Sequence, residues 1–391
     1  MSHIYRYRSP GILSIKEILY NEIYLASEKE LNDPIDMLPN FVFESGNRHI
    51  WYNIFKALNA PDFISEISAD YYENLCPIEY SKVISDAKHH HNDLTNTILK
   101  KHKLTPDDNL GLIVKIILSN FIENIELYKP SSGYSASFSE VSDSMLMWSH
   151  YTNSHQGFCL VFRPINNEIH QCPKNLKKFI SIGDNDEQKI SINPAFKLEK
   201  VSYDGSSHLN AFYLFPENIT GIDLAKNNQI ESYWKQKREQ MLSKNDCWDY
   251  EHERRIFLQS PSYYIAKHEK IKKIDQIIHY NNEQLVGVIF GARMKAEDKS
   301  MIKDIVKRKI DLTYRTACED SKKTYLFDFL FQQAIIDSTS RGISLENLEI
   351  ISNGDIIPPE SSAYKRLLSD WRNGIGRIAD KGKMNDVDIP W

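Results

Sequence analysis

Two carboxylates and a guanidinium stand at alternate positions in the run Asp246 to Leu258, as Glu251, Glu253 and Arg255. Read as a strand, this run puts those three on one side and His252 and Arg254 on the other, because residues two apart share a face. Charges so placed are costly to bury unless they are paired. Side by side they also push the two acids' proton affinities apart, which is how acid and base roles are commonly divided. An exposed, salt-bridged strand accounts for the same letters without any chemistry.

A second set of chemically capable residues lies between Tyr134 and Pro164. Ser137 and Ser139 alternate there, Trp148, His150 and Tyr151 follow, and His155 and Gly157 precede an apolar run from Phe158 to Phe162. Polar-tipped aromatics and imidazoles at this density suit a lined pocket better than a plain core, although packing explains Trp148 and Tyr151 equally well. No metal is expected. His150 and His155 are five apart rather than the four that share a helical face, and no acid completes a ligand pattern. His89, His90 and His91 are adjacent and cannot all face one point on a helix, so with Asp93 they read as a solvated helix face. Cys159 reads as inert core, and His155 as the end of a helix.

The elements that would position these groups are legible in order. Residues 4–8 alternate as a strand, Ser9-Pro10-Gly11 makes a turn, Ile15 to Asn21 has helical spacing, and Glu22 to Ser27 reads as a second strand. Leu31 to Asp36 is a turn in which Asn32 and Asp33 either form an Asx-turn before Pro34 or sit on a pocket rim. Residues 60–128 are helix-patterned, with breaks at Cys76-Pro77 and at Thr105-Pro106, where Thr105 is a natural N-cap. Strands are expected within 179–203, a polar helix over 223–243, a buried strand over 284–291, a helix from Glu297 to Arg308 and a strand from Ile310 to Arg315. Residues 323–337 are apolar, and one short helix containing Leu367, Leu368 and Trp371 is expected near the end. Strands and helices that do not alternate as regular βαβ units indicate an α+β fold.

Composition excludes several classes. A chain of 391 residues with 41% hydrophobic and 26% charged residues can bury a substantial core. A net charge of −5 leaves no chain-wide footprint for nucleic acid. Five scattered cysteines with no C-x-x-C indicate neither a disulfide framework nor a zinc ribbon, and fit a reducing cytoplasm. The N-terminus lacks a secretory apolar run. The most apolar window, Leu110 to Ile122, is interrupted by Lys115 and falls short of the roughly 20 residues that span a bilayer, so no membrane contact is expected.

The Ser-rich strand with Met147-Trp148-Ser149-His150-Tyr151 and His155-Gln156-Gly157-Phe158 resembles a bacterial family known as domain of unknown function 2971. So do the Tyr-basic-Tyr opening strand, the Asn-Asp-Pro turn, Lys200-Val201-Ser202-Tyr203, the Trp248-x-Tyr-Glu-x-Glu-x-Arg255 segment and Val288-Ile289-Phe290-Gly291. The order Arg6, then Ser137-Phe138-Ser139, then Glu251 and Glu253 is similar to the Arg, Ser-x-Ser, Glu-x-Glu signature of ADP-ribosyltransferases, though those have Ser-Thr-Ser more often.

That similarity implies a mixed, mostly antiparallel sheet core of ADP-ribosyltransferase type, formed by residues 1–60 and 129–318; the helix-patterned residues 61–128 read as an insertion into it and residues 319–391 as a C-terminal extension. It implies NAD as substrate, with Glu253 holding the ribose 2′-hydroxyl and Glu251 orienting or deprotonating the acceptor. Arg6 would contact pyrophosphate or ribose. Ser137 and Ser139 would shape the nicotinamide pocket, and Tyr7, Trp148 or Tyr151 would stack on the ring, with His150 and Arg255 completing the binding set. The acceptor, protein or nucleic acid, is not indicated. An effector in conflict with phage or competitors is the expected setting. Two other readings remain: a nucleotide-sensing module that binds without turnover, and a hydrolase or nuclease using Glu251, Glu253 and His150.

Overall fold

The computed structural model describes residues 3–105, 109–128, 133–176, 178–182, 188–203, 207–222, 229–258, 273–319, 325–339 and 341–378. They fall into two compact units, one of residues 1–32, 133–203 and 245–391, the other of residues 33–132 and 204–244.

The first unit is built on a ten-stranded sheet. Its strands are β1 (Ile4–Arg8), β2 (Ala26–Ser27), β3 (Tyr134–Ser139), β4 (Phe158–Phe162), β5 (Glu199–Lys200), β6 (Glu253–Leu258), β7 (Leu285–Phe290), β8 (Phe329–Asp337), β9 (Gly342–Ser352) and β10 (Asp355–Ile357). Across the sheet they run β5-β6-β3-β1-β4-β7-β8-β9-β10, with β2 beside β3. Every pairing is antiparallel except β7 with β8. That one parallel pair is joined through the helix Ala296–Glu319, since parallel neighbours need a crossover. The α+β class and the mostly antiparallel sheet are therefore as the sequence indicates.

The two central strands β4 and β7 are buried at every position, so both faces of the sheet are covered. On one face Phe138, Leu160, Val288 and Phe290 pack with Ile302 and Val306 of the helix Ala296–Glu319. On the other, Tyr7, Trp148, Val161 and Ile289 pack with Leu367 and Trp371 of the helix Tyr364–Asn373. This helix is the short one anticipated near the C-terminus. The helix Ala296–Glu319 runs longer than its sequence reading, and Ile310 to Arg315 is helical rather than a strand. Its buried residues Ile302, Val306, Tyr314 and Cys318 are four apart, with partly buried Ile310 in the same series, so the helical period carries through. Residues 323–337 hold β8 and the two-residue strand Tyr325–Leu326.

The second unit is helical, with helices Arg48–Ala57, Asp62–Leu75, Ala87–His102, Asn109–Tyr128 and Gln229–Met241 among its elements. Phe43, Trp51, Phe55, Tyr72, Phe121 and Phe212 form its aromatic centre. The break at Cys76-Pro77 ends one helix as read, while Pro106 lies outside the described residues. Of the three adjacent histidines, His89 stays exposed beside Asp93 and His90 turns inward toward the Tyr71 hydroxyl at 3.3 Å.

The helix Tyr364–Asn373 is held by a polar clamp inside an apolar surface. Trp371 donates from Nε1 to the Val286 carbonyl at 2.8 Å and stacks on His3 with ring centroids 4.4 Å apart. Arg163 donates to the His3 Nε2 at 3.0 Å and to the Trp371 carbonyl, and lies over the Phe327 ring. Burial, reinforced by the Arg163 charge, lowers the His3 pKa from 6.5 to about 4. The unfolded chain therefore binds more protons than the folded one between those values, and stability falls as pH drops through that window. Thermal unfolding between pH 7 and about pH 4 should show a steeper loss for the wild type than for His3→Gln. Parallel pH profiles for the two proteins would contradict the neutral, clamped His3.

Candidate functional site

Strand register decides which residues meet. Across antiparallel strands, directly opposed residues project to the same face. Ser139 opposes Glu253 and Ser137 opposes Arg255 between β3 and β6. Tyr5 of β1 opposes Ser139 and also Val161 of β4, which carries Tyr5, Tyr7, Ser137, Ser139, Glu253 and Arg255 to one face. On that face Ser137 is exposed although its strand is internal to the sheet, so solvent reaches the middle of the sheet there. Beside it Arg255 is fully buried and Glu253 only 3% exposed. Arg255 grips Glu253 with a two-pronged contact, Nε to Oε1 at 2.6 Å and Nη2 to Oε2 at 2.8 Å, the fork geometry that makes arginine the preferred partner for a buried carboxylate.

Glu251 reaches the same region by a different route, and this corrects the reading of residues 251–255 as one strand. Asn245 caps a 3₁₀ turn, Asp246–Glu251, by accepting the Cys247 amide at 3.1 Å. His252 then adopts a left-handed conformation (φ 43°), and only at Glu253 does β6 begin. The turn tucks Glu251 inside, where it is 3% exposed and accepts a hydrogen bond from the Tyr151 hydroxyl. Burial, followed by the Glu251 charge, pushes the Tyr151 phenol well above its usual range, so it serves as a donor. Asn32 donates to the same hydroxyl at 3.1 Å, while Asp33 accepts the Ile35 amide at 3.0 Å. Asp33 thus makes the Asx-turn, while Asn32 turns to the Tyr151 hydroxyl.

The serines support the backbone of the turn. Ser139 donates to the Glu251 carbonyl at 2.7 Å and accepts the Val141 amide at 3.1 Å. Tyr203 accepts the Glu253 amide through its hydroxyl at 2.9 Å. Tyr203 stood in the sequence within Lys-Val-x-Tyr, but nothing in that motif tells that its hydroxyl reaches a backbone amide fifty residues along the chain.

Arg6 is on the opposite face. It opposes Leu160, lies over the Phe138 ring, and spends its donors on Glu17 (3.0 and 3.3 Å), the Ser137 carbonyl (2.8 Å) and the Tyr24 carbonyl (3.4 Å). Burial would raise the Glu17 carboxyl, but Arg6 and Arg8 outweigh it and hold it below its ordinary value. Of the Arg, Ser-x-Ser, Glu-x-Glu series, the last two parts come together and Arg6 does not join them.

The aromatic residues divide as well. Trp148 is fully buried, donates to the Ser142 carbonyl at 2.8 Å and meets Tyr7 edge-on, with centroids 5.2 Å apart. Tyr7 is 5% exposed and donates to the Val141 carbonyl at 2.9 Å. His150 is exposed, with its Nδ1 3.0 Å from the Tyr250 hydroxyl, and Trp248 lies beside Tyr250 at 6.1 Å between centroids. Trp248 and Tyr250, which the sequence offers only as letters of the Trp-x-Tyr-Glu-x-Glu-x-Arg segment, lie in the 3₁₀ turn. The helix Met145–Tyr151, capped by Ser144, ends in three left-handed residues, Asn153, Ser154 and His155. Gly157 follows where a Cβ would stand 2.0 Å from the Arg8 carbonyl oxygen, so no other residue fits.

Concavity alone does not single out this cluster. A groove of about 980 Å³ lies elsewhere, along the helix Ala296–Glu319. The buried carboxylates are the better guide, because desolvated ionisable groups beside accessible polar ones are the commoner mark of a functional site. No group of three or more His, Cys, Asp or Glu that could hold a metal exists among the described residues, and no helix there is long and apolar enough to cross a membrane.

Removing one member of a buried ion pair costs about 3–5 kcal/mol, whereas replacing both with apolar groups costs far less. Glu253→Gln and Arg255→Met should each destabilise the protein by about that amount, and the combined Glu253→Leu/Arg255→Met protein by clearly less than the sum. Urea unfolding measures all of these; additive losses would mean that the two residues do not act as a pair.

No curated protein and no solved structure matches the chain. Residues 147–256 match the model of a family described as protein of unknown function (DUF2971), a span that runs from the helix Met145–Tyr151 into β6 and takes in Tyr151, Glu251, Glu253 and Arg255. The family that the sequence resembles is thus the one whose model it matches, DUF2971, over the segment that holds the buried carboxylates.

Proposed function

We propose that the chain is an NAD-consuming enzyme of ADP-ribosyltransferase type, acting where the sheet face that carries Ser137 and Glu253 meets the turn that holds Glu251. The observation that supports this reading is a buried carboxylate, Glu253, on the face that carries the solvent-reached Ser137, with a second, Glu251, buried in the turn that leads into the same strand. Cleavage of the nicotinamide glycosidic bond builds positive, oxocarbenium-like charge on the ribose C1′. Carboxylates held in a desolvated setting stabilise such charge far better than they would in water. Nicotinamide departs with the electron pair of the C1′–N bond. The acceptor then adds to C1′ and gives its proton to a carboxylate, the role assigned to Glu251, while Glu253 takes a ribose hydroxyl. The exposed His150 and its neighbours Tyr250 and Trp248 supply ring faces of the kind on which a planar base stacks.

Two observations favour a second reading, a nucleotide-binding module without turnover. Glu253 is already engaged by both prongs of Arg255, and Arg6 stands on the other side of the sheet.

Nicotinamide release from NAD by the purified protein, with and without cell lysate as acceptor, separates the two. Under the enzymatic reading the wild type releases nicotinamide, and Glu251→Gln, shown to be folded by its melting temperature, loses on the order of 100-fold or more in rate. Glu253→Gln is assayed alongside with its stability measured, since its loss of the Arg255 contact also weakens the fold. A folded wild type that releases nothing in either condition, yet binds NAD by calorimetry, supports the module; one that neither cleaves nor binds refutes both.

A further inference from the structure

The helix Ala296–Glu319 carries a second, outward stripe that the sheet does not use. Its inner residues Ile302 and Val306 are buried, whereas Met301 is 42% and Leu312 67% exposed, and both line the groove along the helix together with Ile305 and with Leu19 of the neighbouring helix Ile12–Leu19. Large apolar side chains gathered in one open groove mark a surface that is covered in use.

The charges along the same helix indicate the cover. The helix as a whole mixes both signs, but on the groove the acids Glu297 and Asp304 come first and the bases Arg308 and Lys309 follow. Glu297, Asp304 and Arg308 line the groove itself. Among the described residues Asp304 and Arg308 enter no ion pair within the chain. A groove lined by acids in its first half and by bases in its second is complementary to a copy of itself laid antiparallel.

We infer that two copies of the chain associate through this face about a two-fold axis crossing the helix at the level of Val306. In that arrangement Met301 of each copy lies opposite Leu312 of the other, Asp304 opposite Arg308, and Asp298 opposite Arg315. Each contact then occurs twice, as in any isologous interface, with an apolar centre and a charged rim. The inference is independent of any activity at the carboxylate site.

The test is sedimentation of the full chain over a concentration series. The wild type is expected to dimerise, and Met301→Glu or Leu312→Glu to weaken the dimer on the order of 100-fold, because each substitution counts twice, with the melting temperature of the monomer unchanged. Asp304→Arg and Arg308→Asp should each weaken it, and their combination should restore it, since the swap leaves opposite charges facing. A wild type that stays monomeric throughout, a dimer untouched by the changes at 301 and 312, or a double charge swap no better than either single change overturns the antiparallel self-association. An unrelated protein partner or a lipid surface on this groove would appear as the first of these outcomes.

Discussion

A guanidinium sealed from water is tolerable only with its counter-charge in place, and this sheet seals in two, one on each face. Arg6 is 3% exposed and Arg255 not at all. On one face Arg6 requires Glu17, and Glu17 is carried by the helix Ile12–Leu19, so the ion pair fixes where that helix lies on the sheet. On the other, Arg255 requires Glu253 at the first residue of β6, which fixes where the strand begins. Desolvated charges make a strict positional demand because any misplacement leaves one of them uncompensated. Apolar packing of the same volume would tolerate small shifts that these pairs do not.

The start of β6 in turn determines the shape of the candidate site. If the strand continued back through His252, Glu251 would point as Glu253 does. Instead the left-handed residue at His252 breaks the alternation, and Glu251 reaches Tyr151 from the end of a 3₁₀ turn. Ser139 and Tyr203 hydrogen-bond to the backbone on either side of the break, to the Glu251 carbonyl and the Glu253 amide. A non-glycine left-handed residue is uncommon and persists where its surroundings hold it, and those two hydroxyls are the holders. Tyr151 is itself the last residue of the helix Met145–Tyr151, and the chain's return from it into β4 depends on Gly157 fitting against the Arg8 carbonyl and on Gly291 donating to the Gly157 carbonyl at 2.8 Å. The glycines of the two motifs, one in each of two adjacent strands' approaches, thus serve a single close backbone contact.

Much of this was legible in the chain because it depends on local periodicity. The alternation of residues 4–8, the unbroken apolar run from Leu285 to Phe290 and the helical spacing around Leu367 and Trp371 each announce their element. Ile310 to Arg315 misled because its β-branched and aromatic residues favour strand when taken alone, while the burial spacing from Ile302 to Cys318 that makes it helix extends beyond that window. The meeting of Ser137 and Ser139 with Glu253 was anticipated only through the resemblance to the Ser-x-Ser, Glu-x-Glu order, and the turn at residues 246–251 was not anticipated at all. Its cause is a side-chain cap at Asn245 and a left-handed His252, neither of which leaves a pattern in hydrophobicity.

Arg6 shows a more general limit. A signature written as a sequence order states which residues occur on which strands and omits the parity of each strand against its neighbour. In an antiparallel sheet parity is everything: a shift of one residue in register sends a side chain to the other face. Here β1 opposes β4 with Arg6 against Leu160, so Tyr5 and Tyr7, and not the arginine between them, share the face of Ser139 and Glu253. Arg255, on β6 itself and opposite Ser137, brings a positive charge to the face that Arg6 leaves. A ligand phosphate approaching beside the exposed Ser137 would meet the field of Arg255 already joined to Glu253. Because Arg255 is sealed from water and joined to Glu253 by both prongs, what this face gains from it is a fixed ion pair, set in place by the parity of β6 against β3.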